Sequence, residues 1–140
     1  MQGKGLAHFA AEAASGATLR LLMERGISLD IRDHRGNSPI HLAADRKRLE
    51  NVRLLVEEAG VGLHLRNQNG MSALDIAAAR GHLEIVRYLV EAAGVDLRLR
   101  DHSGLSPLHL AAHNGRLEIV RYLVEEQGMD PTETNAEVKR

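Results

Sequence analysis

The sequence contains no cysteine and few aromatic residues, and both shortages narrow the kinds of protein that it can encode. Without cysteine, neither a disulfide framework nor a cysteine–zinc site can form. Aromatic residues make up 2% of the chain, as Phe9, Tyr88 and Tyr122. A core must therefore be built from leucine, valine, isoleucine and alanine, which suits the close packing of thin layers of helices.

Strong net charge and long apolar runs are also missing. The formal net charge is -1, so no field of the whole chain attracts nucleic acid or an anionic membrane. No apolar run approaches the roughly 20 residues that a helix needs to cross a bilayer, and the first residues do not form a secretion signal. We therefore expect a soluble protein of the cytoplasm or nucleus, with no membrane partner.

The dominant pattern is a stretch of seven residues that occurs three times. It reads Ser-Pro-Ile-His-Leu-Ala-Ala at 38–44, Ser-Ala-Leu-Asp-Ile-Ala-Ala at 72–78 and Ser-Pro-Leu-His-Leu-Ala-Ala at 106–112. The first serines of successive copies are 34 residues apart. A fixed period of this size indicates structural repeats that stack on one another.

The period divides the chain into units. Three complete units are predicted at 32–65, 66–99 and 100–133, and a divergent, more polar unit at about 5–31 resembles a terminal cap. Together they form one domain over residues 1–133, followed by a polar tail at 134–140.

Each unit predicts two helices joined by tight turns. Ser38 and Ser106 are typical N-cap residues, and the proline that follows each of them suits the first helical position. Gly81 and Gly115 are expected to end the first helix in the left-handed conformation. A second helix should begin at the leucines Leu49, Leu83 and Leu117, which start an apolar stripe of helical period.

These features resemble the ankyrin repeat family, in which a β-turn precedes two antiparallel helices. The resemblance rests on the stretch at 106–112 and on Gly-His-Leu-Glu-Ile-Val at 81–86, and it covers about residues 5–133. It implies an all-α fold, an α-solenoid of helix-turn-helix units with β-turn or hairpin loops. It also implies a non-enzymatic protein–protein interaction module that needs no cofactor.

Some positions depart from the repeated pattern. Lys47 stands where the other units have glycine, and a left-handed lysine costs roughly 1 kcal/mol. Ala73 and Asp75 replace proline and histidine, which should weaken the start of that helix. Each complete unit is one residue longer than the family's usual repeat, with the extra residue expected near the glycine that ends the second helix, such as Gly60.

The last unit keeps apolar residues of the interior type. Ile119, Val120, Leu123 and Val124 match Ile85, Val86, Leu89 and Val90 of the unit before. A terminal cap would be more polar on its outward side. We therefore expect either that the array continues in a longer protein or that another chain covers this face, self-association included.

Catalytic and metal sites are not indicated. His8, His41 and His109 occupy the position at which the resemblance implies a structural histidine that bonds the turn and the neighbouring repeat. The repeated serines are expected to cap helices, so their hydroxyls are committed to backbone amides. No His-x-x-x-His pair suggests a metal site and no glycine-rich loop suggests a phosphate site.

The resemblance places partner contacts at the turn tips and at the ends of the first helices, where residues differ between units. The alternative is that these residues differ between units only because they are exposed to solvent and under no constraint. The positions are His34, Arg35, Asn37, Asp45, Arg46, Gln68, Asn69, Met71, Ala79, Arg80, His102, Ser103, Leu105, His113 and Asn114.

This surface predicts a protein or peptide partner with acidic and apolar residues. Its arginines outnumber its one acidic residue, and Met71 and Leu105 add an apolar spot. Two alternatives stay open. One is an engineered scaffold without a natural partner. The other is an oligonucleotide-binding domain using a ladder of Arg32, Arg66 and Arg100, although those turns offer no aromatic residue for base stacking.

Overall fold

The computed structural model describes residues 5–134, which form a stack of four helix pairs. The first helices of successive units pack side by side, and each second helix packs against the first helix of its own unit. No strand occurs within these residues. The helices are α1 (Leu6–Glu12), α2 (Ala17–Glu24), α3 (Pro39–Asp45), α4 (Leu49–Arg53), α5 (Ala73–Arg80), α6 (Leu83–Arg87), α7 (Pro107–His113) and α8 (Leu117–Arg121).

The all-α solenoid and the predicted helix starts are confirmed. Ser38, Ser72 and Ser106 are the N-cap residues of α3, α5 and α7. The hydroxyls of Ser72 and Ser106 accept from the backbone amide three residues later. The hydroxyls of Ser38 and Ser106 also pair with Nδ1 of His41 and His109, at 2.9 and 2.8 Å.

The third unit begins its first helix at the equivalent residue in spite of its departures. Asp75 Oδ2 accepts a hydrogen bond from the Ser72 amide at 3.0 Å, replacing the histidine nitrogen used by the other units. The resulting α5 has eight residues, one more than α3 or α7. The carboxylate therefore compensates locally for the missing histidine and proline.

The extra residue of each complete unit is absorbed by a turn of π-helix. The segments Leu54–Glu58, Tyr88–Ala92 and Tyr122–Glu126 continue α4, α6 and α8. Each closes with a bond from an amide to a carbonyl five residues earlier, such as Ala59 N to Leu54 O at 3.0 Å. The first unit is α-helical throughout α2. A π turn holds one more residue than an α turn, so the longer period needs no longer loop.

Two backbone positions show the cost of the tight turns. Lys47 has a φ of 63°, and no other non-glycine residue in the described range has a positive φ. This is the conformation expected where Gly81 and Gly115 stand in the other units. At Gly70 a side chain would meet the neighbouring unit, because a Cβ there would lie 2.8 Å from His102 N.

The core is continuous along the stack. Paired alanines such as Ala43 and Ala44 are fully buried, and so are large side chains of the second helices such as Leu55 and Leu89. The small alanines let neighbouring first helices approach closely. The stack is therefore held together by contacts between adjacent units.

Each turn is closed by a polar side chain and joined to the next turn. Asp33 Oδ1 accepts from the amides of Arg35 and Asn37, both at 2.9 Å. Adjacent turn tips are linked by backbone bonds, from Gln68 N to Arg35 O and from His102 N to Asn69 O, both at 3.0 Å. The turns therefore form a ladder along one edge of the stack.

The ends of the stack differ from the sequence expectation. The first unit, expected to be a polar cap, exposes five large apolar residues: Leu6, Phe9, Leu21, Ile27 and Ile31. In the last unit, Ile119 and Leu123 are buried, while Leu117 is 60% exposed and Val120 and Val124 are half-buried. Apart from Thr134, the predicted polar tail lies outside the described residues.

Candidate binding groove

A groove of about 720 Å³ runs along the stack on the side of the turns and first helices, lined by residues from Glu12 of the first unit to Asn114 and Arg116 of the fourth. Its walls come from the turn tips around Arg35 and Asn69 and from the C-terminal ends of the first helices at Asp45 and Arg80. The turn ladder fixes one wall and the packed helices fix the floor. A groove held on both sides presents a preformed surface and lowers the ordering cost of binding.

Most of the predicted contact residues meet in this groove. The predicted positions that line it are Arg35, Asn37, Asp45, Arg46, Gln68, Asn69, Met71, Ala79, Arg80 and Asn114. His34, His102, Ser103, Leu105 and His113 are not among its lining residues. The fourth unit thus contributes less to the groove than its sequence suggests. Of the two residues expected to form an apolar spot, Met71 lines the groove and Leu105 does not.

The expected positive bias of this surface is reduced by ion pairs. Arg80 Nε lies 2.6 Å from Asp45 Oδ1. Arg46 Nε lies 3.6 Å from Glu12 Oε2, an acidic residue of the first unit that sequence reasoning missed. Both arginines are more than half exposed, so each pair is weak and can exchange for a ligand carboxylate.

Several variable positions also have structural partners. Asn67 Nδ2 donates to Asn37 Oδ1 at 2.9 Å, and Gln68 Nε2 donates to His34 O at 2.8 Å. Asn114 Nδ2 donates to Leu110 O at 2.8 Å. Variation between units therefore does not mean freedom from folding roles at these positions.

Two apolar residues of the groove lining were not predicted. They are Leu42 and Ile76, and both lie four residues after the serine N-cap of their unit. Leu110 occupies the same position in the last unit. The signal was hidden because an apolar residue recurs at this position in every unit, as a framework residue does. A residue that recurs in every unit can still face a ligand when it lies on the side of the helix that lines the groove.

Three basic residues cap first helices from the following unit. Arg48 Nε donates to Glu12 O at 2.8 Å, and Arg116 Nε donates to Ala79 O at 2.9 Å. His82 Nε2 lies 3.0 Å from Asp45 O. All three satisfy carbonyls that a helix C-terminus leaves without intrahelical partners. These hydrogen bonds therefore link each of these first helices to the unit that follows it, close to the groove.

The ladder of arginines is engaged with the backbone. Arg32 Nη1 donates to Gly36 O at 2.9 Å and to Arg66 O at 2.6 Å, and Arg66 Nη1 donates to Arg100 O at 3.0 Å. Arg100 in turn contacts the Thr134 carbonyl and the Glu133 carboxylate. These guanidinium groups join successive units, which accounts for their spacing without a nucleic-acid ligand.

The structural histidines bridge units as the resemblance implied. His8 Nε2 lies 2.9 Å from Asn37 O, and His41 Nε2 lies 2.9 Å from Met71 O. His41 Nδ1 accepts from the Ser38 amide at 3.0 Å, so the network assigns the ring proton to Nε2, which donates. Burial lowers the pKa of His41 to about 4. The imidazole therefore stays neutral at neutral pH.

Asp75 occupies the position equivalent to His41, but its ionised form is negative whereas that of histidine is positive. Its side chain is buried, and burial raises its pKa to about 6 in spite of the hydrogen bonds from Ser72. The carboxyl has no ring nitrogen with which to reach the carbonyl of the fourth turn. The interface between the third and fourth units therefore carries a buried acid where the preceding interfaces carry a histidine bridge.

We expect Asp75→Asn to stabilise the protein increasingly as pH rises. A raised folded-state pKa means that the stability contributed by Asp75 is complete below its ordinary pKa of 3.8 and is lost as pH rises through about 6. The free energy of unfolding of the variant, minus that of the native chain, should grow by about 2 kcal/mol between pH 4 and pH 7. Urea unfolding across this range measures the difference.

The stability of the Asp75→Asn variant, measured alone as a function of pH, shows how much of the pH dependence comes from other groups. With Asp75 removed, His41 remains, and its lowered pKa predicts a loss of stability as pH falls from 6.5 towards 4. The native chain combines both opposing slopes. A difference between the two chains that stays constant with pH would contradict a buried, destabilised carboxylate at Asp75.

Residues 5–134 contain no group of three or more histidine, cysteine, aspartate or glutamate side chains that could hold a metal ion. Within the same range, every helix is too short or too polar to cross a membrane.

The sequence of the chain matches two models of known protein families. A family model described as ankyrin repeats in three copies matches residues 50–135, and another described as ankyrin repeats in many copies matches residues 21–77. Together the two matches extend from α2 to the end of the described chain. No match was found among curated proteins.

Proposed function

Since the chain belongs to the ankyrin repeat family, whose repeats generally mediate protein–protein interaction, we propose that it is a non-enzymatic module that binds a segment of another protein in the groove. The observation that supports this proposal is the groove itself. Arg35, Arg46 and Arg80 stand at its rim and the apolar side chains of Leu42 and Ile76 are part of its lining. Proteins bind extended or helical segments with such combinations of apolar and cationic contacts.

The charge pattern specifies the partner further. Arg80 and Arg46 are paired with Asp45 and Glu12 in partly exposed ion pairs. A carboxylate on the partner could replace either acid at small cost, because exposed pairs contribute little. The side chain of Arg35, at the turn tip, is exposed. The proposed ligand is therefore a segment with acidic residues beside apolar ones.

We expect peptides selected for binding to the native chain to lose about ten-fold or more in affinity when Arg35→Glu and Met71→Asp are introduced together. The first change reverses a rim charge and the second places a carboxylate beside the apolar residues of the groove lining. A displayed library of random peptides provides the probes, and fluorescence anisotropy of the selected peptides gives the affinities. Affinity should also fall as salt concentration rises.

Arg98→Glu is the matched control, because Arg98 is exposed and does not line the groove. Binding should survive this change. Peptides that bind the double variant as tightly as the native chain would place the binding surface elsewhere.

A further inference from the structure

On the convex back of the stack, a tyrosine of one unit is held by an arginine–glutamate pair of the unit before. The Tyr88 hydroxyl donates to Glu57 Oε2 at 2.7 Å, and the guanidinium of Arg53 lies 5.5 Å from the Tyr88 ring centroid. Arg53 and Glu57 are themselves 3.6 Å apart on one helix face. The tyrosine thus receives both an acceptor for its hydroxyl and a cation for its ring.

The next interface repeats this arrangement with shorter contacts. The Tyr122 hydroxyl donates to Glu91 Oε2 at 2.6 Å, and the Arg87 guanidinium lies 4.5 Å from its ring centroid. Arg87 and Glu91 are 3.5 Å apart. Tyr122 is only 1% exposed, so the pair and the neighbouring helix enclose it.

A third arginine–glutamate pair lies at the end of the stack. Arg121 Nε and Glu125 Oε2 are 3.9 Å apart and both side chains are more than half exposed. The sequence has no tyrosine after Tyr122. Beside this pair, Leu117 is 60% exposed and Val120 is half-buried. The end face thus combines the tyrosine-binding pair with apolar surface.

We propose that this end face, formed by Leu117, Val120, Arg121, Val124 and Glu125, docks a helix of a partner protein that presents a tyrosine. The argument is continuity with two interfaces in the same molecule, at which an identical pair binds a tyrosine followed by leucine. None of the five residues lines the groove, so this second surface does not depend on the proposed function of the groove.

A second copy of this chain does not supply the required side chain. Both of its tyrosines are already bound within their own stack. The residue that follows the corresponding arginine in its first unit is Leu21, which has no hydroxyl. Residues 135–140 contain no tyrosine either. The chemistry therefore favours a different protein as the occupant.

The reference measurement determines the strength of the existing contact between Tyr122 and Glu91 in the 140-residue chain. Glu91→Met and Tyr122→Phe each remove one side of an existing contact, because methionine has no carboxylate oxygen and phenylalanine has no hydroxyl. Urea unfolding of the two single variants and the double variant gives their coupling. The double variant should be little worse than the more damaging single variant.

The probe for the end face is a second copy of residues 100–133 inserted after Glu133. Covalent linkage gives the added tyrosine a high effective concentration, so docking is measured as stability. In this lengthened chain, Glu125→Met, which removes the acceptor oxygens, should lower the urea midpoint by about 0.5 M, and a Tyr→Phe change in the added copy should not lower it further. In the 140-residue chain, Glu125→Met should leave the midpoint unchanged.

Glu118→Met is the matched control, because Glu118 is also exposed and acidic but lies in the first turn of α8. It should shift both chain lengths equally. If Glu125→Met also shifts both lengths equally, or if its effect adds fully to that of the Tyr→Phe change, the end face does not recognise tyrosine and the proposal fails.

Discussion

Replacement of His41 by alanine is expected to lower the free energy of unfolding by about 3 kcal/mol, the range for loss of a fully buried polar side chain that leaves a cavity and unpaired groups. His41 is 0% exposed. Its removal leaves the Ser38 amide and the Met71 carbonyl without their partners in the imidazole. It also breaks a contact between two units, on which the stability of a repeat stack depends.

Urea unfolding at pH 7 measures the loss, since His41 is neutral there and no protonation change contributes. His113→Ala is the control, because His113 is the exposed last residue of α7. Its effect should stay within about 0.5 kcal/mol, as for most surface changes. A loss below about 1 kcal/mol for His41→Ala would mean that water or a shifted turn replaces the imidazole bridge at little cost.

Local chemistry made the helix framework predictable. Serine before proline sets a helix start through one cap and one fixed φ, and α3 and α7 begin at those prolines. The left-handed Lys47 also followed from sequence, because the repeat shows glycine at the two corresponding positions. Such features depend on a few neighbouring residues, so the sequence pattern contains the needed information.

The fate of the extra residue was not predictable from spacing alone. The period showed that each complete unit contains one additional residue near Gly60 and its equivalents. Whether it lengthens the loop or is inserted into the helix depends on packing against the adjacent unit. The structure places it in π turns such as Leu54–Glu58, where Leu54 and Leu55 stay buried.

The candidate site was predicted less completely than the fold, for a physical reason. Comparison between units separates variable from repeated residues, but it does not show what a side chain touches. Asn37 and Gln68 vary and yet bond neighbouring turns. Leu42 and Ile76 recur as apolar residues and yet line the groove. Only the positions of the side chains in space distinguish these cases.

The cap-like character of the first unit was inferred from Thr18, which stands where later units have Ile85 and Ile119. Exposure depends instead on which apolar residues point outward, and Leu6 is 72% and Phe9 58% exposed. The helix register at a stack end therefore matters more than the overall polarity of the terminal unit.

Gly70→Ala is expected to be the most damaging glycine substitution in the turns. Gly70 has a φ of 77°, a conformation that costs an alanine about 1 kcal/mol by itself. A Cβ would also lie 2.8 Å from His102 N, with the His102 ring close by. Because that amide bonds Asn69 O, the clash should separate two turns and raise the total loss to about 3 kcal/mol.

Gly94→Ala isolates the contribution of the clash. Gly94 has nearly the same φ, 72°, but a Cβ there would meet no atom within 4 Å. Its loss should therefore be about 1 kcal/mol, and the excess for Gly70→Ala measures the packing of one turn against the next. Equal losses in thermal or urea unfolding would contradict this account. The excess also bears on binding, because the same turn ladder positions Arg35 and Asn69 at the rim of the groove, so Gly70→Ala should weaken groove ligands while Gly94→Ala leaves their affinity unchanged.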